Sequence, residues 1–316
     1  MNNLQKLVSA PNGIILQIVK FNDYFVVWGE FSAWNKEEVP PVIVLDSNFD
    51  LLKSLTAKFD FIENVKIEQV VVFQENLFVL TKEKQKYIID SHDPTSLFIF
   101  NDNFDVDKEK MEKFGKGARI TDIRFMATPY DEMYIYADDV IVEVSEGHTV
   151  ILNKDLSLNS DKTLVLMEGE LDDFPSFVTS YYTCKGEARI IMGGALNQWG
   201  TKWLQGGLAL LDKNFNLDED ETSILFNKFD STLVYGVIPY NGTFLIYGDR
   251  LSCNGESINN IAMLDAVMKL IPNLKIKTQC VMQSAVICNV FVHDNRAFIS
   301  GKNLKYSYFH EILTPS

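Results

Sequence analysis

A chain of 316 residues that is 47% hydrophobic and 12% aromatic holds enough apolar material for a buried core, which excludes disorder over most of its length. A formal charge of −14, with no Lys/Arg run longer than two residues, excludes a phosphate-gripping nucleic-acid surface. The start MNNLQKLVSAPNG lacks the charged-then-apolar pattern of a signal peptide and no apolar run approaches ~18 residues, so the sequence predicts synthesis in a cytoplasm and no membrane insertion.

Along the chain one unit recurs. Its first landmark is a turn followed by a strand that ends on a small residue: NDYFVVWG to Gly29, ENLFVLT to Thr81, DEMYIYA to Ala137, KGEARIIMGG to Gly193, NGTFLIYG to Gly248 and DNRAFISG to Gly301. The intervals are 52, 56, 56, 55 and 53 residues. Asn22-Asp23, Asn241-Gly242 and Asp294-Asn295 accept the positive φ angles of tight hairpin turns, so the strands they join are predicted to pair antiparallel. A small residue at the end of the strand admits a close backbone approach near a crowded ring centre.

The second landmark is a third strand running into a polar turn and a bulky apolar residue. It reads VIVLDSNFDL, LFIFNDNFDV, VILNKDLSL, LALLDKNFNL and IAMLDAVMKL, centred on Asp46, Asn101, Asn153, Asp212 and Asp265. Asp and Asn suit this place because their side chains cap turns and tolerate unusual backbone angles. A third landmark, Lys-Phe, lies in AKFDF (57–61), EKFGK (112–116) and NKFDS (227–231) and is assigned to a fourth, outer strand. The Leu-, Lys- and Glu-rich composition of the first two stretches also allows short helical turns.

These repeats predict an all-β fold: a six-bladed β-propeller of four-stranded antiparallel blades over residues 1–316, with blades at roughly 14–65, 66–117, 118–174, 175–230, 231–279 and 280–316. The sixth unit ends at KYSYFHEILTPS with no room for its outer strand, so residues 1–13 are assigned to supply it and close the last blade.

VVWGEFSAWN with VIVLDSNFD, IIMGGALNQWG with LALLDKNFN, and LIYGDRLSCNG with IAMLDAVMK resemble the delta-60 repeats of bacterial and phage β-propellers. Gly29, Phe31, Trp34 and Asn35 match one copy of that repeat, whereas Thr81 and Ala137 depart from its glycine. The resemblance implies a structural or protein-binding module without a shared active site. A phage virion component of the tail or host-attachment apparatus is the reading it favours, with virion or tail subunits as partners.

No catalytic set stands out. His92, His148, His293 and His310 lack a nucleophile and acid at recognisable spacing, and the acids of MEGELDDF (Glu170, Asp172, Asp173) and LDEDETS (Asp218 to Glu221) read as solvated turns. Cys184, Cys253, Cys280 and Cys288 show no C-x-x-C pair, and Asn101 to Glu109 lacks the glycine of a calcium loop, so no metal site and no cofactor is predicted. Trp34, Trp199 and Trp203 follow the second strands in loops, where a ring anchors a partner or stacks on a sugar unless it packs between blades. The expectation is a non-enzyme. A carbohydrate-binding or glycoside-cleaving propeller and a cellular scaffold are the alternatives.

Overall fold

The computed structural model describes residues 3–6, 11–62, 66–82, 97–115, 124–127, 133–136, 141–142, 145–146, 149–157, 159–163, 175–183, 186–194, 198–199, 202–204, 207–220, 222, 229–230, 233–249, 251–253, 256–257, 260–271, 286–302 and 308–314. The chain is mostly β and consists of several small antiparallel sheets. It falls into two compact units: Ser9–Ala127 with Asp131–Ser160, and Met1–Val8, Thr128–Tyr130 and Asp161–Ser316.

One plan builds every main sheet. A lead strand turns tightly into a middle strand, which pairs on its far side with a third strand. The first of the two compact units holds Ile14–Phe21/Tyr24–Glu30/Val42–Leu45, Lys66–Phe73/Asn76–Lys82/Leu97–Phe100 and Arg124–Ala127/Met133–Tyr136/Thr149–Leu152. The other holds Pro175–Tyr182/Ala188–Gly194/Leu208–Asp212, Leu233–Tyr240/Thr243–Asp249/Ile261–Leu264 and Val286–His293/Arg296–Lys302/Tyr308–Thr314. The turn residues Asn241, Gly242, Asp294 and Asn295 take the positive φ that their types favour. Gln74 and Glu75 make an equivalent turn at φ 49° and 56° without a favoured residue, supported by the Asn76 side-chain amide, which donates to the Gln74 carbonyl.

After the third strand of each of the first five sheets the chain folds back through one repeated turn. The carboxylate of Asp46 accepts the backbone N–H groups of Asn48 and Asp50 at 2.8 and 2.9 Å, and Asn101, Asp212 and Asp265 do the same for their own turns. Three residues beyond each Asx stands a bulky side chain in the left-handed region: Phe49, Phe104, Leu156, Phe215 and Met268, at φ 59–67°. Such a backbone costs of the order of 1–2 kcal/mol for a residue with a Cβ, and burial offsets it: Phe104, Phe215 and Met268 are all buried. Phe104 meets Phe21 at 5.0 Å and Phe59 at 6.0 Å, so it locks the second sheet to the first.

Among the described residues, the fourth, outer strand expected in every sheet is seen only in the last one. AKFDF lies in the 3₁₀ helix Ala57–Ile62, EKFGK runs into the α-helix Lys108–Gly115, and Phe229–Asp230 pairs instead with Ser252–Cys253. The edge that such a strand would cover is already satisfied. Val44 donates its N–H to the buried Thr56 hydroxyl at 3.0 Å and accepts from Leu52 at 2.9 Å. Leu210 repeats this with Thr222 and Asp218. With no edge to pair, Lys- and Glu-rich segments follow their helical preference, and Asp107 caps the helix by accepting from the Lys110 N–H at 3.0 Å.

The last sheet does have a fourth strand, and it comes from the other end of the chain. Asn3–Lys6 pairs antiparallel with Tyr308–Thr314, Asn3 opposite Thr314 and Lys6 opposite Glu311. This is the pairing assigned to the N-terminal segment from sequence.

The Lys-Phe landmark acts as a staple between the first two sheets. Phe59 is fully buried against Phe100, with ring centroids 4.9 Å apart, while Lys58 forms an ion pair with Asp105. Phe59→Ala is expected to lower unfolding free energy by about 3–5 kcal/mol, and Lys58→Ala, a partly exposed pair, by under about 1 kcal/mol. Chemical denaturation of the two variants checks this ordering.

Candidate functional site

Five of the six described lead strands carry one extra residue close to their start. The register slips between Ile15 and Gln17, Ile67 and Gln69, Pro175 and Phe177, Val234 and Gly236, and Ile287 and Asn289. The bulged residues are therefore Leu16, Glu68, Ser176, Tyr235 and Cys288. A bulge bends its strand and re-aims a side chain.

The bulge also explains the small residue of the first landmark. Gly29, Thr81, Gly248 and Gly301 stand opposite the residue just before the bulge. A Cβ on Gly29 would lie 2.0 Å from the Ile14 carbonyl oxygen. The crowding comes from the bulged strand of the same sheet.

A lead strand pairs only with its middle strand, so its other row of backbone groups needs partners elsewhere. In the first compact unit Gln17 supplies one. Its Oε1 accepts from the Trp28 indole at 2.9 Å and from the Val70 backbone N–H of the next sheet at 3.3 Å. In the second, Gly236 occupies the position of Gln17, and Tyr247 on the middle strand fills the space. A Cβ on Gly236 would fall 2.4 Å from the Tyr247 ring. The Val290 N–H of the following sheet donates to the Tyr247 hydroxyl, a contact that lowers the phenol pKa, while burial, the larger influence, pushes it up to about 12. Gln17 with Trp28 and Gly236 with Tyr247 are thus two solutions to one requirement.

Around the bulges of the fifth and sixth sheets stand polar and titratable side chains. Tyr235 and Cys288 occupy the same bulge position on lead strands that pack together, and Asp249 ends the middle strand beside Tyr235, opposite Leu233. Burial raises the Tyr235 phenol pKa, and the charges of Asp249 and Cys288 raise it further. Cys288 is a half-buried free thiol whose Sγ lies 3.8 Å from the Val286 carbonyl oxygen.

At the same end of the sheets, four described two-stranded hairpins follow the middle strands: Ala33–Trp34/Glu37–Glu38, Ile141–Val142/Ser145–Glu146, Gln198–Trp199/Lys202–Trp203 and Ser252–Cys253/Glu256–Ser257. The first is clasped by Asn12, whose Oδ1 accepts the Ser32 and Ala33 N–H groups, each at 2.9 Å. Trp34 is only 1% exposed and packs against Phe31, and Trp199 and Cys253 are buried at the same place in their hairpins. Of the two readings open for Trp34 and Trp199, partner contact and inward packing, their burial accords with packing. They anchor the hairpins from within. Trp203 lies on the second strand of its hairpin, and its side chain is outside the described residues.

The second strands instead carry glutamates: Glu37 and Glu38, both exposed, and Glu146 and Glu256. Glu37 pairs with Lys53 at 2.7 Å.

Other residues singled out from sequence are scattered. His293 stands 3.2 Å from Asp294 at the lead-strand turn of the last sheet, and His310 is buried opposite Ser300. His92, His148, Glu170, Asp172, Asp173, Glu221, Cys184 and Cys280 lie outside the described residues. Asp218 pairs with Arg189 at 3.5 Å, and Asn101 is committed to its turn. Among the described residues, no group of three or more His, Cys, Asp or Glu is placed to hold a metal ion, and no helix is long and apolar enough to cross a membrane.

Repeated three-stranded antiparallel sheets with a bulged lead strand define the class as a β-repeat protein. No family model and no curated protein matches the sequence, so the delta-60 type of the repeat is without support. Similar solved structures include a Pyrococcus horikoshii acylaminoacyl peptidase, 10% identical over 91% of this chain and 42% of its own, with a TM-score of 0.40. A structure from work on two prolyl endopeptidases is 9% identical over 95% of this chain and 41% of its own, with a TM-score of 0.38. A glycosyl hydrolase from Bacteroides ovatus is 12% identical over 80% of this chain and 84% of its own, with a TM-score of 0.31. The chain spans about two-fifths of the length of the two peptidases.

The three neighbours named above are hydrolases, against the expectation that the chain is not an enzyme, and a CNH domain matches as well. At such identities and scores they transfer no activity, substrate or residue. A virion or tail role gains no support from them.

Two measurements test the bulge contacts. Gln17→Leu leaves the Trp28 and Val70 N–H groups without their acceptor and is expected to cost about 2–4 kcal/mol, whereas Gly236→Ala is expected to destabilise by displacing the Tyr247 ring. Tyr247 also sets an alkaline limit. Its pKa is higher folded than unfolded, so its contribution is whole below the unfolded value near 10 and is lost as pH rises towards about 12. Tyr247→Phe is expected to flatten the fall of stability across that window in denaturant titrations at several pH values.

Proposed function

We propose that the chain is a single six-bladed β-propeller that binds glycans and cleaves glycosidic linkages at the end of the sheets carrying the small hairpins. The observation that carries this reading is the repeated glutamate on the second hairpin strand, in Glu37–Glu38, Ser145–Glu146 and Glu256–Ser257. Carboxylates accept hydrogen bonds from sugar hydroxyls, and a pair of them is the usual machinery of glycoside hydrolysis, one as acid and one as base or nucleophile. Exposed loops held on a rigid β scaffold are where such groups are placed to work.

The buried indoles of Trp34 and Trp199 direct the reading away from aromatic stacking and towards carboxylate contacts. The pairing of Asn3–Lys6 with Tyr308–Thr314 supports the propeller itself, since it joins the two chain ends in one sheet. Six main sheets of one plan, in chain order, supply the blades.

Incubation with a panel of soluble polysaccharides, followed by assay of new reducing ends, tests the function. Release from at least one polysaccharide is expected, falling about tenfold or more in the triple variant Glu37→Gln, Glu146→Gln, Glu256→Gln. Neither binding nor release across the panel would overturn the reading.

A further inference from the structure

Four of the bulged repeats share their core chemistry and differ at one structural position. Just before the bulge stand Ile15, Ile67, Val234 and Ile287, and two residues after it Ile18, Val70, Val237 and Val290, all buried and aliphatic. Between them, the bulge position reads leucine, glutamate, tyrosine and cysteine at Leu16, Glu68, Tyr235 and Cys288, with Ser176 at the bulge of the fourth sheet. Leu16 and Tyr235 each set part of the side chain against the core, yet the chemistry at this position varies where that of its neighbours does not. A bulge lifts its residue out of the strand's strict alternation and gives it a new direction, which is how strands commonly present functional side chains.

We infer that the bulges of the fifth and sixth sheets face a ligand, and that Tyr235, Cys288 and Asp249 form a subsite for one sugar residue. The inference rests on the carbohydrate reading above. Tyr235 and Cys288 belong to adjoining lead strands at equivalent register, and Asp249 closes the same end of the fifth sheet, where hairpin Ser252–Cys253/Glu256–Ser257 begins. The chemistry matches a sugar: the carboxylate accepts from hydroxyls, the phenol both donates and accepts, and the face of its ring packs against C–H groups. A phosphorylated or carboxylated ligand would meet Asp249 and a chain of net charge −14 as like charge.

Cys288 provides a direct readout, because a sugar in this subsite covers its thiol. The full-length protein is treated with N-ethylmaleimide, with and without saturating cellohexaose, xylohexaose, laminarihexaose, mannohexaose or chitohexaose. Modification of Cys288 is followed by peptide mass spectrometry, and affinity by calorimetry. One oligosaccharide is expected to slow Cys288 modification at least about fivefold and to lose about tenfold or more in affinity with Tyr235→Ala, one lost contact of about 1.4 kcal/mol. Tyr235→Phe, which keeps the ring, is expected to lose less and shows that the fold survives.

An oligosaccharide that binds with Cys288 unprotected and Tyr235→Ala unimpaired would overturn the subsite while leaving the carbohydrate reading in place. No binding by any member would remove both.

Discussion

Everything in this fold depends on how the first strand of each sheet finds partners for the backbone row that no strand covers. A lead strand is an edge inside a tightly packed array of sheets, and a buried amide without an acceptor costs about 1–3 kcal/mol. The bulge near its start makes the difficulty worse by disturbing the ladder, and the neighbouring sheet resolves it. Gln17 accepts the Val70 N–H across one junction, and the Tyr247 hydroxyl accepts the Val290 N–H across another. Polar side chains so placed set the spacing between sheets as well as joining them. They also fix their own surroundings, since Gln17 requires the Trp28 indole as a second donor and Tyr247 requires a glycine at 236.

The opposite edge of each sheet is handled without a neighbouring strand. Third strands such as Val42–Leu45 are short and entirely buried, and their outward groups are taken up by a threonine hydroxyl and the backbone of the returning turn. The turn depends on an Asx side chain that gathers two N–H groups, and on a bulky residue forced into the left-handed region. Glycine would adopt that backbone with less strain. Phenylalanine is used because its ring then enters the space between sheets, as Phe104 does between Phe21 and Phe59. Backbone strain at this point is the cost of an intersheet contact.

Much of this was legible in the sequence because turn chemistry is local. Asn241-Gly242, Asp294-Asn295 and the Asx residues at 46, 101, 212 and 265 do what their side chains dictate whatever surrounds them. The small residue at Gly29 was legible as a close approach, though the approaching group is the Ile14 carbonyl of its own sheet. The outer strand was misread because its alternative, a hydroxyl from Thr56 or Thr222 capping the sheet edge, is a contact over twelve residues that no periodicity reports. For Trp34 and Trp199 the sequence left partner contact and packing both open, because loops are usually exposed. Here each is the second residue of a minimal hairpin and turns inward. The bulges left no trace, since an extra residue in an apolar strand alters neither composition nor period enough to notice.

That blindness has a consequence for how function sits in a repeat of this kind. Landmarks found by recurrence are by construction the residues that every copy needs, and in this chain they turn out to be caps, knobs and close approaches. Chemistry that distinguishes one copy from the next must lie where the fold makes no demand, and the bulge is such a place. Its backbone is fixed by the register of flanking residues, and its side chain leaves the strand's strict alternation, although Leu16 and Tyr235 still touch the core with part of their surface. Leu16, Glu68, Ser176, Tyr235 and Cys288 can therefore differ without disturbing Ile15, Ile67, Val234 or Ile287 beside them. The hairpins at the same end follow the same logic in a second tier: a buried residue such as Trp34, Trp199 or Cys253 holds each in place, and the strand that follows is free to vary among Glu, Ser and Lys. A sheet with its core fixed in this way and two variable tiers at one end can acquire binding or catalysis by substitution at those positions alone, with the core left as it is.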